Sequence, residues 1–490
     1  MLFAMVLFIV IPACRESFFK KSDMYDTIII GAGIGGLVCG CYLAKAGMKV
    51  LIAEQHYKPG GYCTSFKRQG FTFDAAAHIF GGYKYGSLGK IFKELGVDKK
   101  VEIRKFDPSD IIITPDYKVS FWGDLDKTIE NFQTAFPEES NKIKEFLYFL
   151  FSPEPNSFAR IRSWTFKDLM DKYFEDDKLK AILSFPILAN AGLPPSQISA
   201  FIGAKIFKEF YLDGGYYPGG NMQALPDALV EIFKESGGEL RLSCLVKKIK
   251  VKDNKVTGVV LGDGEYISSK YVISNCDARQ TFYKLLGRKA VGQDFLNKIN
   301  SMIPSPSMFV LYLGLDTYFD TLSESGTKWF MLSYNIDKIY RSAEKGDFNN
   351  IDIYMVHVSP SNPKSLLAIT IVSFKSKKYW ENNKGKWIES FIKTIEKHSI
   401  PALTKHIVYK DAATPYTLYR YTLNYKGSAR GWACTPSQLA VPDLRKPSFA
   451  QNLYLTGHWT TLGMGISGVV YVGYDTAKII LKKEKLGYNY

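Results

Sequence analysis

Several signatures that would place the 490-residue chain quickly are missing from it. No cysteine or histidine spacing matches a zinc site, and no nucleic-acid-binding module is present, so neither chemistry is expected. No Ser-His-Asp set or Walker phosphate loop rises above background, which argues against a triad hydrolase and a P-loop NTPase. The seven cysteines form no framework. Cys39 and Cys41 lie two apart on a predicted helix and point to different faces, Cys63 follows a glycine pair by one residue, and the rest are isolated. An odd number at irregular spacing predicts reduced thiols and a cytoplasmic setting. Long apolar runs are also scarce. Hydrophobic residues make up 46% and charged residues 23%, the composition of a globular protein rather than a multispanning one.

Residues 1–23 stand apart. Met1–Cys14 is mostly apolar, but it lacks a basic leader and is too short for a spanning helix of ~20 residues. Met24 sits directly before a strand of nucleotide-binding type, which makes it the expected start of the fold. An anchor, suggested by Ile11-Pro12-Ala13-Cys14 and its faint likeness to a lipoprotein processing site, is the second choice.

Aromatic residues and positive charge are abundant. Aromatics reach 14%, with 31 Tyr and 33 Phe, and the formal net charge is +15. With nucleic acid set aside, that combination suits a protein resting peripherally on an anionic membrane surface, although a merely Lys-rich composition explains it equally well.

The clearest pattern begins at Thr27-Ile28-Ile29-Ile30, a short β-branched run of the kind buried on both faces of a sheet. Gly31-Ala32-Gly33-Ile34-Gly35-Gly36 interrupts it, helical spacing resumes from Leu37 to Ala46, and Lys49–Glu54 reads as a second strand. This is a β–α–β unit. Gly31 permits the tight turn, Gly33 leaves room for a pyrophosphate beside the backbone, and Gly36 lets helix and strand pack closely. Free N–H groups at the helix start favour the phosphate charge, and Glu54 is placed to accept hydrogen bonds from ribose hydroxyls.

Beyond Glu54, Lys58–Ser65 adds a second glycine pair (Gly60, Gly61) and two hydroxyls (Thr64, Ser65). A second close-approach loop suits FAD, which is longer than its adenosine half. Phe71–His78 continues as a strand ending in small residues that leave room for a ring system. Far along the chain, Asn452–Gly457 reads as a strand, His458-Trp459-Thr460-Thr461 follows, then Gly463, Gly465 and Gly468 lead to a helix from about Val469 to Leu481. A Gly-rich turn feeding a helix can present N–H groups to a flavin pyrimidine.

These blocks (GAGIGGL, AKAGMKVLIAEQ, PGGYCTSF, GFTFDAAAH and NLYLTGHWTTLGMGISGVV) resemble the phytoene desaturase, carotenoid isomerase and retinol saturase family of FAD-dependent oxidoreductases. Gly214–Gly220, Gly237-Gly238-Glu239, Tyr271–Asp277 and Thr414-Pro415 agree with it too, so the likeness covers nearly everything after Met24. The resemblance implies an α/β fold in which a Rossmann-like FAD-binding domain of the glutathione reductase and amine oxidase type is interleaved with an α+β substrate domain. Residues 24–86, 213–301 and 440–485 would form the first, and 87–212 and 302–439 the second, which also associates with membrane. Gly31, Gly33, Ile34, Gly35, Gly36, Glu54, Gln55, Gly60, Gly61, Thr64 and Ser65 would hold the adenosine and pyrophosphate end. Val246 would touch the adenine through its backbone, and Gly457, His458, Gly465, Ile466 and Ser467 would lie along the ribityl chain and ring. Tyr62 departs from the Arg or Ser of many relatives and puts one pyrophosphate contact in doubt. The implied substrate is a hydrophobic polyene or other isoprenoid, undergoing desaturation, saturation or cis–trans isomerisation.

The segments between the cofactor blocks carry aromatic stretches, Phe146–Phe151 and Tyr416–Tyr425. Ile353–Val358 and Leu366–Phe374 read as adjacent strands, and Phe201–Tyr211 as an amphipathic helix. Apolar walls suit hydride transfer from an unactivated C–H, although such stripes are more often plain core. His78 and His458 are the histidines flanked by cofactor motifs, with His458 expected as a contact rather than a catalyst. Arg420 is expected to close over the flavin, stack on an aromatic face or form a surface ion pair. With one dinucleotide fingerprint, no separate nicotinamide domain is expected. The electron acceptor stays open among quinone, oxygen and NAD(P). Two other readings remain: a flavin amine oxidase-like enzyme, and a non-catalytic prenyl-lipid carrier.

Overall fold

A computed structural model describes residues 24–486, except 152–156, 320–324, 348–350, 442–443 and 462. The expectations for residues 1–23 lie outside the described residues. At the centre of the first sheet is the buried strand Tyr25–Ile30, flanked in parallel by Val50–Ala53 and Tyr266–Ser274. Glu239–Arg241 extends the sheet on one side. On the other, Val246–Lys252 and Lys255–Leu261 form an antiparallel meander with the first half of Tyr266–Ser274, and Leu453–Leu455 pairs in parallel with its second half. Val272 bonds its neighbours in both directions, so a strand from residue 453 lies one strand away from residue 28. The two ends of the chain meet here.

Small residues set the helix packing over this sheet. The helix Ile34–Lys45 is buried along nearly its whole length, between the sheet and the C-terminal helix Gly465–Glu484. A β-carbon at Gly36 would lie 2.4 Å from the Gly31 carbonyl oxygen, and one at Gly473 would lie 2.4 Å from the carbonyl oxygen of Gly35. Neither position admits a side chain, because backbone occupies the space.

The second sheet has seven strands, in the order Ile407–Ala413, Ser307–Leu315, Asn362–Val372, Ile353–Ser359, Thr327–Met331, Asp110–Ile113 and Lys118–Phe121. The expected pair at 353 and 366 is antiparallel and adjacent. Ser307–Leu315 is buried throughout, and its period-two alternation sorts its side chains between two cores. Phe309, Leu311 and Leu313 pack under the long helix Lys377–His398, whereas Met308, Val310 and Tyr312 face the opposite, helix-rich side.

Phe201–Tyr211 is helical and two-sided as expected, but an α-helix, Ala200–Ile206, passes into a π-helical turn, Phe207–Leu212; Phe201, Lys205, Lys208 and Glu209 are partly exposed along one side, and Ile202, Ile206, Phe207 and Tyr211 are buried. One local expectation is corrected: the C-terminal helix starts at Gly465 rather than near Val469, with Gly465 at φ 68° against the Phe210 ring. Leu88, Ile91, Phe92 and Leu95 of the helix Ser87–Leu95 form an apolar stripe that joins the first core beside the C-terminal helix.

Candidate active site

One cavity of about 500 Å³ runs between the two sheets. It is lined by Glu54, Gln55 and Val246, by Gly31, Gly33, Ile34, Gly35, Gly60 and Gly61, and by Gly457, His458, Gly465 and Ile466. Thr64 and Ser65 also reach it. Beyond the glycines it opens onto the inner face of the second sheet: Met308, Tyr312, Trp329, Met355 and Ile369.

The fingerprint leaves free backbone donors at one end and an acid at the other. The helix Ile34–Lys45 has no side-chain cap, so its first-turn N–H groups stay free where the cavity passes Gly33 and Gly35. Gly60 and Gly61 hold φ of 121° and 59°, a turn that brings the second loop beside Gly33. Glu54 accepts hydrogen bonds from the backbone N–H of Ala32 at 2.7 Å and of His56 at 2.8 Å. It thereby ties the glycine turn to the following loop, and burial raises its pKa above the usual carboxylate range.

Not every expected contact faces the cavity. Gly36 lies behind the turn as a packing residue. Ser467 points away, and its hydroxyl donates to Glu209 Oε2 at 3.1 Å, fastening the C-terminal helix to the π-helical turn. The Ser65 hydroxyl is committed to buried Asp74 at 2.7 Å. Of the three expectations for Arg420 the aromatic one is met: it is exposed, with its guanidinium 5.9 Å from the Tyr421 ring, and it does not line the cavity. Tyr62 turns from the phosphate loop and donates to the Ser428 carbonyl at 2.8 Å.

The histidine tautomers follow from their partners. The Trp459 indole N–H, a donor only, lies 2.8 Å from Asn424 Oδ1 and fixes that amide's orientation. His458 Nε2, 3.2 Å from the same oxygen, therefore carries the ring proton. Burial lowers its pKa to about 4, so the ring is neutral at pH 7. His78 donates from Nδ1 to the Ala76 carbonyl at 3.0 Å, while its buried Nε2 has no partner. Burial and neighbouring His357 lower its pKa to about 3, and the two rings lie 5.6 Å apart. Neither His78 nor His458 carries charge near neutrality.

Sequence reasoning missed Asn275. It ends the strand Tyr266–Ser274 and packs its amide among Gly31, Gly33, Gly35 and Gly457, donating to the Gly31 carbonyl at 3.3 Å. The available signal was its place at the carboxyl end of a central strand, where ligands of open α/β sheets bind. Arg430, also missed, is partly buried and lines the cavity. Among the described residues no group of His, Cys, Asp and Glu could hold a metal.

A parallel sheet with a Gly-rich turn at its carboxyl edge, joined to an apolar chamber under a second sheet, defines a flavoprotein of the two-domain oxidase type. The family model for flavin containing amine oxidoreductase matches residues 34–481, and the chain belongs to that family. It is 27% identical to the lycopene-forming phytoene desaturase of Pseudescherichia vulneris, over 94% of this chain and 99% of that one. It is 24% identical to the all-trans-retinol 13,14-reductase of Danio rerio (94% and 86% covered), and 26% identical to prolycopene isomerase 2 of an Oncidium hybrid cultivar (93% and 83%). Among solved structures, an oxidoreductase from Methanosarcina mazei shares the fold with TM-score 0.69 and 17% identity, covering 92% of this chain and 99% of that one. The protein is an FAD-dependent oxidoreductase, and its uncapped helix start, paired glycine turns and partly buried Glu54 fit that cofactor.

Proposed function

We propose that the protein changes carbon–carbon double bonds in a carotenoid-like or other polyisoprenoid lipid, by desaturation, saturation or cis–trans isomerisation. The observation that carries this reading is one cavity continuous from the fingerprint glycines to the apolar inner face of the second sheet. Bound FAD supplies a hydride acceptor or donor. Glu54 and the N–H groups at Gly33–Gly35 would hold its nucleotide half, and Gly457, His458, Gly465 and Ile466 its ring end. The chain's own part is alignment and exclusion of water: Met308, Tyr312, Met355 and Ile369 give an extended apolar substrate a wall without competing polar groups. Neutral His78 and His458 add no charge beside it.

The relatives' names support a polyene class, and the positive charge suits delivery from an anionic membrane surface to which the protein binds peripherally. Among the described residues no helix is long and apolar enough to cross a membrane. The amine oxidase reading is disfavoured by Arg430, whose guanidinium in the chamber would repel a protonated amine. The test is product analysis of FAD-loaded protein given short, medium and long polyenes with quinone, oxygen and NAD(P) as acceptors. The expected result is a product of altered double-bond number or geometry from holoprotein alone. A polyene bound but returned unchanged under every condition would leave the carrier reading instead.

A further inference from the structure

Arg430 is the unusual group of the chamber. Its backbone N–H donates to Ser305 Oγ at 3.0 Å, and its Nη2 donates to the Ala189 carbonyl at 2.7 Å. That carbonyl belongs to the last turn of the helix Asp177–Ala191, whose C-terminal dipole favours a cation. One donor of the guanidinium is thereby used, and a guanidinium has five. Among the described residues it makes no ion pair. Asp110, a buried acid that acts on neighbouring Tyr211, accepts from the Trp329 indole at 2.7 Å. Tyr62, Tyr211 and Cys434, the groups that act on Arg430, are neutral at pH 7, because burial raises each of their pKa values.

A guanidinium keeps its charge in a protein, and Arg430 is partly buried at the wall of a largely apolar cavity, where a charge without a counter-ion is costly. Helix capping alone would be met by a neutral donor. Asn190 lines the cavity beside it, held by its own bonds to Tyr211 and the Pro186 carbonyl, so this end of an otherwise apolar chamber is polar and cationic.

The geometry points to Arg430 as a specificity-determining residue that pairs with a carboxylate at one end of the substrate, making the preferred ligand an isoprenoid or polyene acid rather than a pure hydrocarbon. This deepens the polyisoprenoid reading and rests on it. Planar carboxylate and planar guanidinium match in a two-point contact, and the apolar wall of Met308, Met355 and Ile369 receives the chain.

The test uses full-length, FAD-loaded protein and two matched probes, all-trans-retinoic acid and its methyl ester, with binding followed by quenching of tryptophan fluorescence. Wild type is expected to bind the acid at least about tenfold more tightly than the ester, the range of a hydrogen bond to a charged group. Arg430→Gln and Arg430→Lys, checked for retained flavin absorbance, separate the two roles. The Gln variant is expected to bring the ratio to about one with ester binding kept, and the Lys variant to keep part of the preference. A residue that only caps the helix, or only serves the flavin, would change melting temperature or flavin potential and leave the ratio unmoved. Equal binding of both probes by wild type, or a preference that survives in Arg430→Gln, overturns the carboxylate assignment while leaving the polyene reading intact. Binding of neither probe sinks both.

Discussion

Glu54 shows how one side chain can serve the fold and the ligand at once. Its carboxylate already bonds two backbone N–H groups, so Glu54→Ala removes an acceptor from the glycine turn as well as from the ribose. We expect FAD affinity to fall about ten- to a hundredfold, as titration of apoprotein would show, since bonds to a charged group contribute about 1.5–3 kcal/mol. Unchanged affinity would count against the ribose assignment. His357 gives a second residue-scale prediction. Burial lowers its pKa to about 4 from 6.5. As pH falls through 6.5 the unfolded chain takes up a proton at this position and the folded one does not, so its contribution is lost on acidification. Urea unfolding of wild type and His357→Gln at pH 7, 5.5 and 4.5 should show the gap narrowing in the variant's favour, by on the order of 3 kcal/mol in full. A gap independent of pH contradicts the buried, neutral state.

Elements explain what the sequence made legible. Tyr25–Ala53 was readable because strand, turn, helix and strand are contiguous and each glycine answers a local requirement. The strand at 453 and the turn before Gly465 were readable for the same reason. Less visible were features that exist only after folding. Gly465 and Gly468 look like helix breakers in sequence, yet the helix begins at Gly465, and the close approach of Gly473 to the Gly35 carbonyl exists only once the two helices are packed. Arg420 and Arg430 are ten residues apart and alike in chemistry, but one is exposed and the other is partly buried at the cavity wall, a difference no local pattern encodes. At this scale we predict that Gly473→Ala, which would place a carbon 2.4 Å from a carbonyl oxygen, destabilises the protein by about 1–3 kcal/mol. A thermal melt would show it, with FAD retention falling in parallel. An unshifted melting temperature would mean the two helices pack less tightly than described.

For the molecule as a whole, the interleaving is the functional device. The chain leaves the nucleotide-binding sheet, builds a second sheet with a helix-covered outer face and an apolar inner face, and returns to lay residues 453–455 beside the strand at 272. The cavity between the sheets follows from that path, as does the position of Arg430 and His458 on the returning segment. The most direct test is a crystal structure of the protein with FAD. It should place the pyrophosphate at the N–H groups of Gly33–Gly35, the ribose on Glu54, and the ring between Gly457–Gly465 and the wall formed by Met355 and Ile369. A ring turned away from that wall, or a nucleotide bound outside the crevice, would contradict the account.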